Sequence, residues 1–172
     1  DVDIVSMVKQ VEFEMEDKLA DAGLDVRMSM PEEKVIVPLD SQKTFRIFEN
    51  LFGNIAKYAL PGTRVYVSGF TAKDEVTIIL KNITAQELSV SGEELTERFV
   101  RGDASRNTEG SGLGLAIAKS FTEIQGGKFR IELDGDLFKV VLNWKVKPES
   151  GNHDNSGDTV TVGDKEKQPL QS

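Results

Sequence analysis

Asn50, Asn54 and Lys57 are spaced i, i+4 and i+7 within a segment whose apolar residues Phe45, Phe48, Leu51, Phe52, Ile55 and Ala59 recur at helical spacing. A 3.6-residue period gathers the two amides and the amine into a narrow polar stripe beside the apolar one. Asn is a poor mid-helix residue because its side chain competes for backbone hydrogen bonds, so two of them one turn apart call for a reason. Spacing leaves two readings open. One is an ordinary solvated face; the other is the wall of a polar cleft, where amide oxygens suit a hard cation such as Mg²⁺ and a lysine suits phosphate. Tyr58 then offers either half-buried packing or an aromatic surface for a base and a hydroxyl for a phosphate.

A second patch is Gly110-Ser111-Gly112-Leu113-Gly114-Leu115, at the entrance to another apolar-periodic segment. Glycines let backbone approach an anion closely, and the unpaired N–H groups of a helix N-terminus complement negative charge. A flexible loop is the plain alternative. No Gly-Lys-Ser/Thr follows, which excludes a Walker A loop. A charged stretch rather than an apolar strand precedes it, which excludes a dinucleotide fingerprint. The third patch, Glu97-Arg98-Phe99-Val100-Arg101-Gly102-Asp103-Ala104-Ser105-Arg106, carries three arginines able to make bidentate phosphate contacts. Arg101-Gly102-Asp103 also spells an adhesion tripeptide, which is read here as a chance match.

The elements that must position these residues alternate along the chain. Residues 2–22 read as a helix through Ile4, Val5, Val8, Val11, Met15 and Leu19, stopped by Gly23. Two short strands follow at 25–30 and 34–37. A helix is expected over 41–59, with Ser41, after Asp40, as its N-cap and Pro61-Gly62 after its end. Residues 63–71 and 75–82 read as strands joined by Ala72-Lys73-Asp74. The stretch 84–111 holds at most one short helix near 93–99, and a segment of this length without regular structure has the character of a lid. A helix over 113–125 ends at Gly126-Gly127, and 128–133 with 138–144 form a hairpin around Asp134-Gly135-Asp136. Strands with separated helices give an α+β fold: a two-layer sandwich with a mixed, mostly antiparallel sheet of about five strands and about three helices on one face.

Composition narrows the chemistry further. The 172 residues include no Cys and a single His, His153, which excludes zinc knuckles, iron–sulfur clusters, thiol nucleophiles and His-rich metal sites. A formal net charge of −8 argues against a nucleic-acid partner. No apolar run approaches the roughly 18 residues that span a bilayer. The chain opens on Asp1 rather than Met, which fits an excised fragment. Residues 148–172 lack hydrophobic periodicity and read as a polar, disordered tail, with a short strand over 160–162 as the alternative, so the domain is placed at 1–147.

Together the three patches resemble the C-terminal catalytic, ATP-binding domain of sensor histidine kinases, in the Bergerat-fold (GHKL) group of ATPases and kinases, over most of the chain. Asn50-Leu51-Phe52-Gly53-Asn54-Ile55-Ala56-Lys57-Tyr58 is similar to that family's N box, residues 97–103 to its F box, and residues 110–115 to its second glycine box. The resemblance implies roles for matched positions. Asn54 holds Mg²⁺ with Asn50 beside it, Lys57 meets a phosphate and Tyr58 lines the nucleotide. Arg101 and Arg106 reach the phosphates from the lid. The turn of Gly110, Gly112, Leu113, Gly114 and Leu115 lies beneath them. The family's first glycine box is altered: Asn82 stands where an adenine-binding Asp is expected, and Thr84 and Gln86 replace glycines. An Asn carbonyl still accepts from an exocyclic amine.

Relatives that hydrolyse ATP carry a Glu general base where Asn50 stands, and an amide cannot take that proton. Glu49, one residue away, points about 100° around the helix. The resemblance therefore implies a histidine kinase domain that binds ATP and Mg²⁺ and gives the γ-phosphoryl group to a histidine on a separate helical dimerisation domain. From there it passes to a response-regulator receiver. The resemblance further implies that the domain alone is not competent for autophosphorylation, and that it is a cytoplasmic, monomeric part of a membrane-anchored homodimer. A degenerate nucleotide-binding or docking module without phosphotransfer is the alternative, and a serine kinase of the anti-sigma type is a third. His153 lies in the tail and off any helix, so it is not the acceptor.

Overall fold

The computed structural model describes residues 1–86, 94 and 113–149. Strand β1 (Val2–Asp3) leads directly into helix α1 (Ile4–Glu14) and helix α2 (Glu16–Asp21). Strands β2 (Asp25–Ser29) and β3 (Ile36–Val37) precede the long helix α3 (Ser41–Tyr58). Strands β4 (Arg64–Ala72) and β5 (Glu75–Ile83) follow, and then come α4 (Leu113–Ile124), β6 (Lys128–Asp134) and β7 (Leu137–Lys145). The main sheet has five strands in the order β2-β4-β5-β7-β6. Only the β2–β4 pair is parallel; the others are antiparallel. This is the expected α+β sandwich, with α3 and α4 laid side by side over one face of the sheet.

The expected helix over residues 2–22 is corrected by the structure. Val2 and Asp3 pair instead with Val37 and Ile36, making a separate two-stranded sheet. Asp3 then caps α1: its carboxylate accepts from the Val5 amide at 3.2 Å, the Ser6 hydroxyl at 2.6 Å and the distant Val35 amide at 3.1 Å. The helix breaks at Met15, whose amide is shared between the Val11 and Glu12 carbonyls before α2 begins. The apolar positions continue in register across the break, which is why periodicity does not reveal it.

The core lies between sheet and helices. On β5 the side chains alternate, with Val76, Ile78, Leu80 and Asn82 buried on the helix side. On α3 the buried set is Thr44, Ile47, Phe48, Leu51, Phe52 and Ile55. Phe45, expected in that stripe, is only half-buried, and Ile47 takes the place about 200° away on the helical wheel. Phe48 meets Trp144 of β7 with ring centroids 6.4 Å apart and a 60° tilt, joining helix to sheet. Each fully buried side chain of this kind contributes about 1.5–3 kcal/mol. The turns form where the sequence places them, with Lys73 at φ 57° and Gly135 at φ 57°.

Candidate functional site

Helix α3 begins at an N-cap and ends in a set of backbone bonds, and both fix the site. At its start the cap is Asp40 rather than the expected Ser41, which is already helical: the Asp40 carboxylate accepts from the Lys43 amide at 2.8 Å. That backbone bond, with the Lys43 charge and the Gln42 amide, outweighs the effect of burial and holds the carboxyl below its usual range. The Asp40 amide donates to Gln125 Oε1 at 2.7 Å, just past the end of α4. Ten residues along α3, Asn50 lies against Gly114 in the first turn of α4. The two contacts make α3 and α4 antiparallel neighbours and set the N-terminus of α4, where a helix's first N–H groups have no intrahelical acceptor, beside the Asn50 amide.

Asn50 is held in one orientation. Its Nδ2 donates to the Arg46 carbonyl at 2.8 Å, one turn back, so its competition for backbone bonds is resolved within the helix. The remaining Oδ1 faces Gly114, where a Cβ would sit 3.4 Å away. Asn54 and Lys57 lie about 6 and 10 Å further along the axis, past the point where α4 begins, with Asn54 half-buried and Lys57 exposed. The Lys57 ammonium stands 5.1 Å from the centre of the Tyr58 ring, a cation–π contact that holds the two side chains together. Glu49 points away, into a separate groove of about 760 Å³ that Met7, Phe45 and Phe121 also line.

The end of β5 is tied to the end of α3. The Leu60 amide donates to the Ile83 carbonyl at 2.8 Å, the Ala85 amide to the Tyr58 carbonyl at 2.9 Å, and Ala59 bridges Thr84. Asn82 is therefore carried to the same end of the molecule as Tyr58. It is 3% exposed. Its Nδ2 donates to the Ile83 carbonyl at 3.4 Å, whereas its Oδ1 is buried without a hydrogen-bond partner. Leaving such an acceptor unmade costs about 1–3 kcal/mol, so this oxygen is suited to a donor from a ligand.

Thr84, read from sequence only as a missing glycine, is a structural clamp. Its amide donates to the Asp136 carbonyl at 2.8 Å and its hydroxyl to the Gln86 carbonyl at 2.7 Å. A Thr just past a strand, able to bond backbone two residues on, was the available signal. Leu115 is a core residue, 3% exposed, so only its N–H can face a ligand; Leu113 is exposed. Arg101, Arg106, Gly110 and Gly112 and the strand considered over 160–162 lie outside the described residues, and of the helix expected near 93–99 only Glu94, which is helical, is described.

The donor set fits a magnesium–nucleotide complex. Among the described residues no group of three or more His, Cys, Asp or Glu could hold a metal ion. Mg²⁺, however, is commonly held by one or two protein oxygens plus phosphates and water, which two amide oxygens on one helix can supply. Also among the described residues, no helix is long and apolar enough to cross a membrane.

Comparison with known proteins adds three findings. A family model described as histidine kinase-, DNA gyrase B-, and HSP90-like ATPase matches residues 39–165. The chain is 33% identical over 146 residues to the probable sensor protein PcoS of Escherichia coli, covering 83% of this chain and 31% of that protein. It spans less than half the length of the curated relatives it matches. Among solved structures, the catalytic domain of the histidine kinase ThkA superposes with a TM-score of 0.72 at 19% identity, covering 84% of this chain and 93% of that one. Full-length ShkA, in complex with AMPPNP, superposes with a TM-score of 0.67 at 21% identity, covering 84% of this chain and 30% of that one.

Proposed function

The chain belongs to the histidine kinase-, DNA gyrase B-, and HSP90-like ATPase family as a catalytic, ATP-binding domain of the histidine kinase type, and on that premise we propose that it binds Mg–ATP and donates the γ-phosphoryl group to a histidine on a separate helical dimerisation domain. The observation that carries the reading is the buried, unpartnered Oδ1 of Asn82 at the end of β5, set at the same end of the fold as Tyr58. Asn82 takes the base and Tyr58 lines it. Lys57 meets phosphate, and Asn54 with Asn50 holds the metal. The N–H groups of α4 at Gly114 and Leu115 lie nearest the phosphates, and Gly110, Gly112, Leu113, Arg101 and Arg106 complete the set. Bound Mg–ATP supplies the transferable phosphoryl group and its charge neutralisation, so these residues act by positioning.

Asn50 argues for a phosphoryl acceptor other than water. Its Nδ2 is committed to the Arg46 carbonyl, and an amide oxygen is no general base. Glu49, the nearest carboxylate in sequence, lines a different groove. The chain alone is therefore expected to hydrolyse ATP far more slowly than about 1 s⁻¹, the lower end of ordinary enzyme turnover. The acceptor histidine and a response-regulator receiver are the proposed partners, and the domain is assigned to the cytoplasmic side of a membrane-anchored homodimer. The relatives' names support this reading, PcoS being a probable sensor protein and ThkA a histidine kinase.

The clamped Thr84 in place of a glycine favours one second reading, a docking module that binds nucleotide without transferring phosphate. The test is to add a His-bearing helical segment from the parent and radiolabelled ATP, and to look for acid-labile phosphohistidine. Label on the histidine supports the kinase. Nucleotide binding without label selects the docking module.

A further inference from the structure

We propose that the groove between α1, α3 and α4 is a docking surface for this chain's own residues 158–166. Val160 and Val162 lie on its apolar floor, and the carboxylates beside them meet Lys43 and Arg46. The groove, of about 760 Å³, has a floor of Met7 from α1, Phe45 from α3 and Phe121 from α4. Each packs on the core with one side and stays only half-buried. Lys43 and Arg46 also line it, against one acid, Glu49. Neither cation makes a salt bridge with a carboxylate of the described residues. The groove thus offers an apolar surface and positive charge on a chain whose formal net charge is −8.

The segment complements that lining. Between Gly157 and Gly163 the sequence reads Asp158-Thr159-Val160-Thr161-Val162, and Asp164 and Glu166 follow. Side chains alternate along an extended segment, so the two valines share one side and the threonines the other. Leu170 apart, these valines are the aliphatic side chains of residues 150–172, and Lys165 is the one cation among residues 158–166. The fold also delivers the chain to the groove. After β7 the Lys147 amide donates to the Ile36 carbonyl at 2.9 Å, and the Ile4 amide donates to the Val35 carbonyl at 2.9 Å. The chain therefore leaves the fold beside the start of α1, which carries Met7, and a short way before Ser41, the groove residue that opens α3. The residues from Glu149 to Val160 reach up to roughly 36–40 Å, whereas Ser41 to Glu49 spans only about 12 Å of helix. A short tether gives an effective concentration in about the mM range, so a contact too weak to hold a free peptide is occupied within the chain. Docked there, the segment straps three helices over the first half of α3. Asn54 and Lys57 lie on the second half and stay open.

The test uses the full 172-residue chain, which contains no Cys, so Ser156→Cys carries a nitroxide spin label at a single place just before the segment. In amide NMR spectra of the isotope-labelled protein, the signals of Met7, Phe45 and Phe121 should be broadened. That of Gly62, past the opposite end of α3, should not, and reducing the nitroxide should restore the rest. Replacing both valines (Val160→Asp with Val162→Asp) should abolish the broadening, and so should Lys43→Glu with Arg46→Glu. Both variants are read in proteins whose remaining spectrum matches the parent. No broadening in the groove, or equal broadening at Gly62, overturns the proposal. So does groove broadening that persists in the Val160→Asp, Val162→Asp chain. Mixing spin-labelled chain with isotope-labelled chain that lacks the nitroxide separates one further case. Broadening in that mixture means that a second copy supplies the segment, which overturns docking within one chain.

Discussion

Gly114 lies against Asn50 so closely that a Cβ on the glycine would sit 3.4 Å from the Asn50 Oδ1 and 3.8 Å from its Cβ. That is ordinary van der Waals contact, so Gly114→Ala fits the fold. It also covers the one amide oxygen of Asn50 not turned toward the helix backbone, beside the N-terminus of α4. Replacing a helical glycine by alanine stabilises by about 0.5–1 kcal/mol. The expected outcome is therefore a split: a higher urea midpoint together with Mg–ATP affinity lowered by about tenfold, equivalent to about 1.4 kcal/mol. Denaturation and calorimetry on the same protein check it, and affinity unchanged from wild type would remove Asn50 Oδ1 from the site.

Asn54 is half-buried on α3, one turn beyond the start of α4. Alanine is the better helix former by roughly half a kcal/mol, so Asn54→Ala is expected to fold with equal or higher stability while losing Mg²⁺-dependent ATP binding. Calorimetry with and without Mg²⁺ separates the two effects. Equal affinity in variant and wild type would count against Asn54 as the metal-holding residue.

Much of this arrangement is legible in the sequence because α3 and the two hairpins are local structures. The α3 stripe needs only a period, and the turns at Lys73 and Gly135 need only a residue able to take positive φ. What escapes the sequence depends on partners far along the chain. Asp3 reads as one more residue of a helix until Val35 and Ile36 arrive beside it. Phe45 and Ile47 are equally apolar, and only the placement of α1 and α4 decides which one enters the core. The site divides in the same way. The polar stripe of Asn50, Asn54 and Lys57 follows from spacing, whereas the Nδ2 bond of Asn50 and the two-carbonyl environment of Thr84 follow from geometry.

Asp3 gives the fold a defined response to acid. Burial alone would raise its carboxyl, but the Ser6 hydroxyl and the amides of Val35, Val5 and Ser6 outweigh that and hold it below its ordinary value of 3.8. A lowered folded-state value means the stabilisation is complete above the ordinary value and is lost as pH falls through the lowered one. Asp3→Ala removes an N-cap and leaves the Val35 amide without this acceptor, an expected cost of about 1–2 kcal/mol at neutral pH. The gap between wild type and variant should hold steady down to about 4 and narrow below 3.8. Urea unfolding at a series of pH values measures it, and a gap independent of pH would assign the contribution to packing rather than to the charge.

Two glycines beside the helices should respond in opposite ways to the same substitution. At Gly127, just after α4, a Cβ would fall 2.3 Å from the Trp144 Nε1 and 2.9 Å from the Asn143 carbonyl oxygen. Trp144 is 2% exposed and packs on Phe48, so the indole has nowhere to yield without moving the core contact that joins α3 to β7. Overpacking of this kind costs about 1–3 kcal/mol or more. At Gly53, between the two site asparagines, the nearest described atom to a Cβ is the Met15 Cε at 3.9 Å. The backbone there is helical, so alanine gains about 0.5–1 kcal/mol from the reduced freedom of the unfolded chain. Gly127→Ala should therefore lower the melting temperature and Gly53→Ala raise it, both read by thermal unfolding. A Gly127→Ala protein as stable as wild type would mean that the α4–β6 junction yields freely, and that the close approach of Gly127 to Trp144 is not what seats α4 on the sheet.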